Sequence, residues 1–245
     1  MSRVLLEVED LGKSFLIPSV RRDTVREHVF GLLAPRRFER VGVLDGVTLS
    51  VREGETLGIM GRNGCGKSTL LKIIAGIYEA DRGVVRRHAG ITPILELGVG
   101  WNPELTAIDN VYLIGSVFGL SLKAIKGQLD DILAFAELER FAELPVKHYS
   151  SGMASRLAYA VAFAAVREVL VLDEIFAVGD AGFRKRCEER YLRLRAAGHT
   201  VILVSHDART VAAFCDRAVL MDAGRIIAEG PGAEIASHYV ARLTA

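Results

Sequence analysis

The sequence contains few cysteines and no long hydrophobic run. Its 245 residues include three cysteines, at positions 65, 187 and 215. This odd number and wide spacing match neither a disulfide-rich secreted protein nor a zinc site, so a reducing cytosol is the expected compartment. The longest nearly apolar stretch, residues 157–166, is about half as long as a bilayer requires, and the N-terminus lacks signal-peptide features. We therefore expect a chain that does not cross a membrane by itself.

The sequence also lacks an excess of either positive or negative charge. The chain has 31 basic and 30 acidic residues, which gives a formal net charge of +1. This balance provides no global attraction to nucleic acid or to an acidic membrane, so any such attraction must be local. A hydrophobic content of 50% with 25% charged residues is typical of a globular protein and excludes wholesale disorder. The length allows one large domain or two small ones.

Strands and helices alternate in the second half of the chain. That alternation is typical of a mostly parallel sheet with helices on both faces. Predicted helices cover 153–166, 183–196 and 208–214, and predicted strands cover 169–172, 201–204 and 218–221. Earlier in the chain we predict strands at 4–8, 47–51 and 56–60, a helix at 67–75, and helical segments between 106 and 143 that break at Gly115, Gly119 and Ser121.

An arginine-rich insertion lies between the first two predicted strands, at about residues 17–42. Apolar residues within it fall on one face of a short predicted helix that ends at Pro35. One interpretation is a solvated loop. The other is an amphipathic helix at a membrane or partner surface, where guanidinium groups would meet phosphate groups. The arginines are at positions 21, 22, 26, 36, 37 and 40, and the apolar residues are Val25, Val29, Phe30 and Leu33.

A phosphate-binding motif occupies residues 61–69. The segment GRNGCGKST fits the pattern G-x-x-x-x-G-K-[ST] between a predicted strand and a predicted helix, a context that disfavours a chance glycine-rich turn. Glycines let backbone N–H groups surround a phosphate chain, and the helix N-terminus adds its positive dipole end. Lys67 would reach the β- and γ-phosphates, and the Ser68 hydroxyl would ligate Mg²⁺. The predicted site comprises Gly61, Asn63, Gly64, Cys65, Gly66, Lys67, Ser68 and Thr69.

Polar residues follow two of the predicted buried strands. Asp173 and Glu174 end the first, and His206 follows the second. Alone, these would be solvated turn residues. Beside a phosphate loop, Asp173 can hold Mg²⁺ and Glu174 can deprotonate the attacking water. His206 lies at the carboxyl end of a strand, where ligands bind in open α/β sheets.

These motifs resemble those of the ATP-binding subunit of ABC transporters. Residues 61–69 look like the Walker A loop, 170–173 like the Walker B strand, Glu174 like the catalytic base and His206 like the switch histidine. The resemblance implies an α/β fold of the P-loop NTPase type, with a mostly parallel core sheet, an N-terminal antiparallel β lobe and a helical subdomain at about residues 104–166. It also implies a single domain over residues 1–245.

A second group of motifs concerns a partner subunit and the rest of the nucleotide. The segment YSSGM at 149–153 is similar to the family's signature motif, although it departs from LSGGQ. In the family this motif completes the ATP site of the facing subunit, which implies a head-to-tail dimer sharing two nucleotides. Asp180 resembles the D-loop aspartate at that interface. Phe15 stands where an aromatic residue packs on adenine, or it faces the core. Glu96 replaces the expected glutamine-loop residue and would face Mg²⁺. The signature residues are Ser150, Ser151 and Gly152.

Where the chain departs from the general family pattern, it resembles the ATP-binding subunits that power bacterial polysaccharide export. That resemblance implies an ATPase at the cytoplasmic face of the membrane, a membrane permease partner, and a lipid-linked O-antigen, capsule or teichoic acid polymer as substrate. No C-terminal carbohydrate-binding domain is expected. Other hypotheses are a transporter ATPase with another client, such as a lipid or drug, and a soluble ATPase acting on nucleic acid or ribosomes. The near-neutral charge disfavours the latter, and no Asn-Lys-x-Asp motif indicates a GTPase.

Overall fold

The structure, a computed structural model, describes residues 2–18, 38–94, 101–173 and 180–244. Three predicted features lie outside these ranges: the amphipathic helix of the insertion, Glu96 and Glu174. The described strands are β1 (Val4–Pro18), β2 (Phe38–Arg52), β3 (Thr56–Gly61), β4 (Arg82–Arg87), β5 (Ile91–Ile94), β6 (Val169–Asp173), β7 (Thr200–Val204), β8 (Arg217–Asp222) and β9 (Arg225–Pro231). The described α-helices are α1 (Lys67–Ile74), α2 (Ala107–Val117), α3 (Leu122–Ala136), α4 (Ser151–Ala164), α5 (Ala181–Ala196), α6 (Ala208–Phe214) and α7 (Gly232–Thr244).

Two sheets organise the described chain. A core sheet of six strands has the order β5-β6-β7-β3-β8-β9, with parallel pairing everywhere except the β8–β9 edge. A sheet of three antiparallel strands has the order β2-β1-β4. The prediction of a mostly parallel core sheet with an N-terminal antiparallel lobe is therefore confirmed.

The central strands are apolar on both faces because both faces are covered. Every residue of β3 and of β7 is buried, which is typical of a parallel strand between two layers. One buried cluster joins both sheets: Leu6 and Val8 of β1 pack with Ile59 of β3 and with α1. A second cluster fills the opposite face of the core sheet with residues of α4, α5 and α7.

A group of helices forms a separate hydrophobic cluster beside the core sheet. Helices α2, α3 and part of α4 contribute Val111, Ile125 and Leu157 to it. Helix α2 begins at a capping box in which Thr106 and Asp109 bond each other's backbone N–H groups. The predicted break at Gly115 is wrong, because Gly115 lies inside α2. A Cβ there would be 2.9 Å from Ile125, so the glycine permits close packing of α2 on α3.

The N-terminal strands differ from their predicted length. Both β1 and β2 contain 15 residues, so 17–18 and 38–42, assigned by sequence to the insertion, are arms of a β-hairpin. The apolar residues Ile17 and Phe38 on these arms are exposed, at 48% and 53%. Among the described helices, none combines the length and apolarity needed to span a membrane.

Candidate functional site

The loop between β3 and α1 is tightly folded around two glycines. Gly66 precedes α1 with a φ of +107°, a left-handed conformation that favours glycine. A Cβ on Gly66 would also lie 2.8 Å from the carbonyl oxygen of Val43 in β2, and one on Gly61 would lie 2.4 Å from that of Met221 in β8. The backbone of both sheets therefore surrounds the loop, and neither glycine can be replaced without moving main chain.

Lys67 lies across this loop. Its side chain is buried, and Nζ donates hydrogen bonds to the carbonyl oxygens of Gly61 (2.8 Å) and Arg62 (3.0 Å). Both acceptors are neutral carbonyl oxygens, so they leave the positive charge of the ammonium group without a countercharge, which an anionic oxygen would supply. The ammonium group is thus positioned for an anion that the loop can surround.

Ser68, in the first turn of α1, meets Asp173 at the carboxyl end of β6. The Ser68 hydroxyl donates to Oδ2 of Asp173 at 3.3 Å. Two oxygens that ligate one Mg²⁺ from adjacent octahedral positions are about 3 Å apart. Hard oxygen donors at this separation fit Mg²⁺, whose remaining positions would be filled by water and phosphate.

A cavity of about 580 Å³ opens above these residues. It is large enough for the phosphate chain of a nucleotide. Its lining includes most of the predicted phosphate site together with Val43, which the sequence did not identify, because only the docking of β2 on the core sheet brings it there. The lining residues are Val43, Asn63, Gly64, Gly66, Lys67, Ser68, Thr69 and Asp173.

His206 follows β7, which lies between β6 and β3 in the sheet. The Ser205 N–H donates to the carbonyl of Ile59 (3.4 Å), and Ser205 Oγ accepts from the N–H of Asp207 (3.0 Å). His206 between them is exposed. Because β6, β7 and β3 run parallel, Asp173, His206 and Lys67 all lie at one edge of the sheet.

Of the predicted site residues that the structure describes, those of the signature segment and Asp180 do not line this cavity. Ser150 caps α4 by accepting from the N–H of Met153 (3.2 Å), with Ser151 and Gly152 in the first turn of that helix. Asp180 caps α5 by accepting from the N–H of Phe183 (2.9 Å). This bond is the main cause of the lowered pKa of Asp180.

Phe15 and Cys65 do not line the cavity. The Phe15 ring makes an edge contact with Tyr78, with centroids 5.8 Å apart, and pairs across β1 and β2 with Val41. Val41 is two residues from cavity-lining Val43. The Cys65 thiol is buried against Gly61, where a Cβ would lie 2.6 Å from its sulfur. This burial raises the pKa of the thiol.

Comparisons with known proteins agree with this geometry. The ABC transporter family model matches residues 44–177. An ABC transporter protein of Aeromonas salmonicida is 40% identical over 98% of this chain and 77% of its own length. An O-antigen export ATP-binding protein of Myxococcus xanthus is 36% identical over 95% of this chain, and a teichoic acid export ATP-binding protein of Lactiplantibacillus plantarum is 41% identical over 80%; the matches span 54% of the length of each.

Solved structures show the same fold. An ATP-binding subunit of an ABC transporter superposes with a TM-score of 0.78 at 27% identity, covering 98% of this chain and 100% of that one. A dimeric ATP-binding cassette bound to ADP and Pi, at 24% identity, superposes with a TM-score of 0.73 over 92% of this chain and 98% of its own. The predicted resemblance is therefore confirmed. The chain belongs to the ABC transporter family.

Proposed function

We propose that this chain binds and hydrolyses ATP to drive export of a lipid-linked polysaccharide, of the O-antigen, capsule or teichoic acid type. The observation that carries the ATPase proposal is the cavity in which buried Lys67 lies beside the Ser68–Asp173 pair. The relatives named for O-antigen and teichoic acid export support the substrate class. The chain would act at the cytoplasmic face of the membrane with a permease subunit.

Each residue has a role that follows from its chemistry. Lys67 exchanges its bonds to the loop carbonyls for β- and γ-phosphate oxygens, which neutralises charge on the phosphates. Ser68 and Asp173 hold Mg²⁺, which polarises the phosphoryl group when bound. Glu174 accepts a proton from the attacking water, and His206 contacts the γ-phosphate side of the site.

The nucleotide site is completed by a second copy of the chain. Ser150, Ser151 and Gly152 lie at the N-terminus of α4, where N–H groups and the helix dipole favour an anion, but they do not line their own subunit's cavity. In a head-to-tail dimer they would meet the γ-phosphate held by the facing subunit, and Asp180 would cross the interface. Phe15 would pack against adenine, and Glu96 would face Mg²⁺.

Reconstitution with the permease tests the substrate class. We expect the purified complex in vesicles to hydrolyse ATP faster when lipid-linked polysaccharide is present, and to move that polymer in an ATP-dependent way. A panel of lipid-linked glycans, a phospholipid and a drug substrate gives the comparison, and a complex carrying Glu174→Gln provides the inactive control. Transport of only the phospholipid or the drug would contradict polysaccharide export while leaving the ATPase assignment intact.

The insertion is proposed to handle membrane or substrate phosphates rather than ATP. Changing Arg21, Arg22, Arg36 and Arg37 to glutamine should leave basal ATP hydrolysis by the isolated subunit within about twofold, and should reduce polymer export in cells. The physical reason is that the arginine fork pairs with phosphate oxygens in bidentate fashion, whereas glutamine carries no charge.

A matched control neutralises four exposed basic residues elsewhere in the chain. These are Arg52, Arg184, Lys185 and Arg193. Export that survives the change in the insertion would make this segment a simple loop. Collapse of basal hydrolysis would instead assign it to folding or to nucleotide binding.

A further inference from the structure

One carboxylate connects three helices at the edge of the helical cluster. Glu137 follows α3, and its Oε2 accepts from Nη1 of Arg156 in α4 at 2.7 Å. Its Oε1 accepts from Nη1 of Arg186 in α5 at 2.5 Å. The hydrogen bond from Arg186 is the main cause of the lowered pKa of Glu137. Each oxygen of the carboxylate therefore binds a different helix.

The two arginines occupy equivalent positions on their helices. Arg156 lies six residues after Ser150, the N-cap of α4, and Arg186 lies six residues after Asp180, the N-cap of α5. At 1.5 Å per residue this is about 9 Å along each helix axis. Nη1 of Arg156 also lies 3.9 Å from Oδ2 of Asp180. Glu137 thus joins the two helices at the same distance from their N-termini.

A second contact path reaches Asp180 from Glu137. The Arg186 guanidinium lies 5.6 Å from the centroid of the Phe183 ring, and Phe183 is completely buried. The N–H of Phe183 donates to Asp180. A displacement of Arg186 would therefore displace Phe183, and with it the hydrogen bond that Phe183 donates to Asp180, the N-cap of α5.

The backbone at Glu137 does not favour glutamate. Its φ of 58° and ψ of 43° lie in the left-handed region, at the end of a helix where glycine or asparagine is usual. The carboxylate occupies a position where a residue without a Cβ would form the same turn with less strain. Local backbone preference and helix termination do not account for glutamate here, but its two ion pairs do.

We propose that Glu137 is a positioning residue that fixes the orientation of α4 relative to α5. Through Arg156 and Arg186 it holds the Ser150 end of α4 and Asp180 as one surface, which the facing subunit meets when ATP is bound. This inference rests on the proposed function, because it concerns assembly of the shared nucleotide site. Glu137 does not touch the phosphate cavity, so it acts on the distant site of the partner and not on its own.

Two substitutions separate positioning from folding. Glu137→Gln keeps a hydrogen-bond acceptor but removes the charge that both arginines share. Glu137→Gly removes the side chain and relieves the left-handed backbone, so its thermal midpoint should fall less than that of Glu137→Gln. The matched control is Glu139→Gln, because Glu139 is also an exposed carboxylate and lies two residues after Glu137.

Four measurements on the purified chain test the proposal. These are the thermal midpoint, the dissociation constant of a fluorescent ATP analogue, the kcat and KM of ATP hydrolysis, and ATP-driven dimerisation in a Glu174→Gln background. For both Glu137 variants we expect the dimer dissociation constant to rise and kcat to fall by about fivefold, which is the loss expected when a half-exposed carboxylate gives up its two ion pairs. Affinity for the analogue should change less than twofold, and Glu139→Gln should match the parent protein.

The outcomes are distinguishable. Normal dimerisation and kcat in Glu137→Gln, in a parent chain that hydrolyses ATP and dimerises, would overturn this inference alone. So would recovery of activity in Glu137→Gly, since that result would show that only folding was affected. A parent chain that neither hydrolyses ATP nor dimerises with it would overturn the proposed function and this inference with it.

Discussion

ATP affinity is expected to fall by about 10²-fold or more when Lys67 is replaced by alanine. The ammonium group of Lys67 is the buried positive charge of the phosphate loop, where it now bonds two carbonyl oxygens. With nucleotide bound, the ammonium group exchanges these neutral carbonyls for negatively charged oxygens of two phosphates. A net gain of about 1.5 kcal/mol at each phosphate corresponds to roughly 10²-fold in affinity. Calorimetric titration with ATP measures it.

The control is Lys123→Ala, which removes an exposed lysine near the start of α3. Circular dichroism of Lys67→Ala should show a folded protein, because the two carbonyl acceptors released by the substitution lie in a loop that water can reach once the side chain is gone. A folded Lys67→Ala protein with the parent affinity for ATP would remove Lys67 from the proposed site.

A loss of turnover by about 10²-fold or more is expected for Glu174→Gln, with little change in ATP affinity. Glutamine has nearly the same shape as glutamate but cannot accept the proton of the attacking water, and removal of a general base typically lowers the rate by this factor. Because ATP stays bound, the variant should accumulate as an ATP-bound dimer. Steady-state hydrolysis and size-exclusion chromatography with ATP measure the two effects.

A matched control lies at the other end of the same strand. Glu168 precedes β6 and accepts a hydrogen bond from the backbone N–H of Gly90 at 3.0 Å, which glutamine can also accept. Glu168→Gln should therefore turn over ATP like the parent. Near-normal turnover in Glu174→Gln would show that another group activates the water.

The core sheet was predictable because its central strands can be recognised from their own residues. The buried runs in β3, β6, β7 and β8 are continuous and apolar, as parallel strands covered on both faces must be. The strands β4 and β9 were missed because their residues are half-buried or exposed, and β5 because Thr92 and Pro93 interrupt its apolar pattern. In β1 and β2, shifts in strand pairing interrupt the alternation that would have shown their full length.

The candidate site divides in the same way. The phosphate loop is a local pattern, so its residues could be identified from spacing alone. The alternation of elements predicts a mostly parallel sheet, and in such a sheet the phosphate loop and Asp173 lie at one edge. The contact of Ser68 with Asp173 depends in addition on the strand order β6-β7-β3, which was not predicted. Two residues could not be found from sequence. Val43 reaches the cavity only through the docking of one sheet on the other. Glu137 meets Arg156 and Arg186 only after three helices have packed.

The docking of the two sheets has a thermodynamic consequence. The main chain of Val43 in β2 forms one wall of the loop at Gly66, and a single buried cluster joins both sheets. Occupancy of the loop and attachment of the N-terminal sheet are therefore linked equilibria. Such linkage is reciprocal. If the attached sheet raises the affinity of the loop for its ligand, then the bound ligand raises the free energy needed to detach that sheet by the same amount. The N-terminal sheet is thus stabilised by a ligand held mainly by residues of the other sheet.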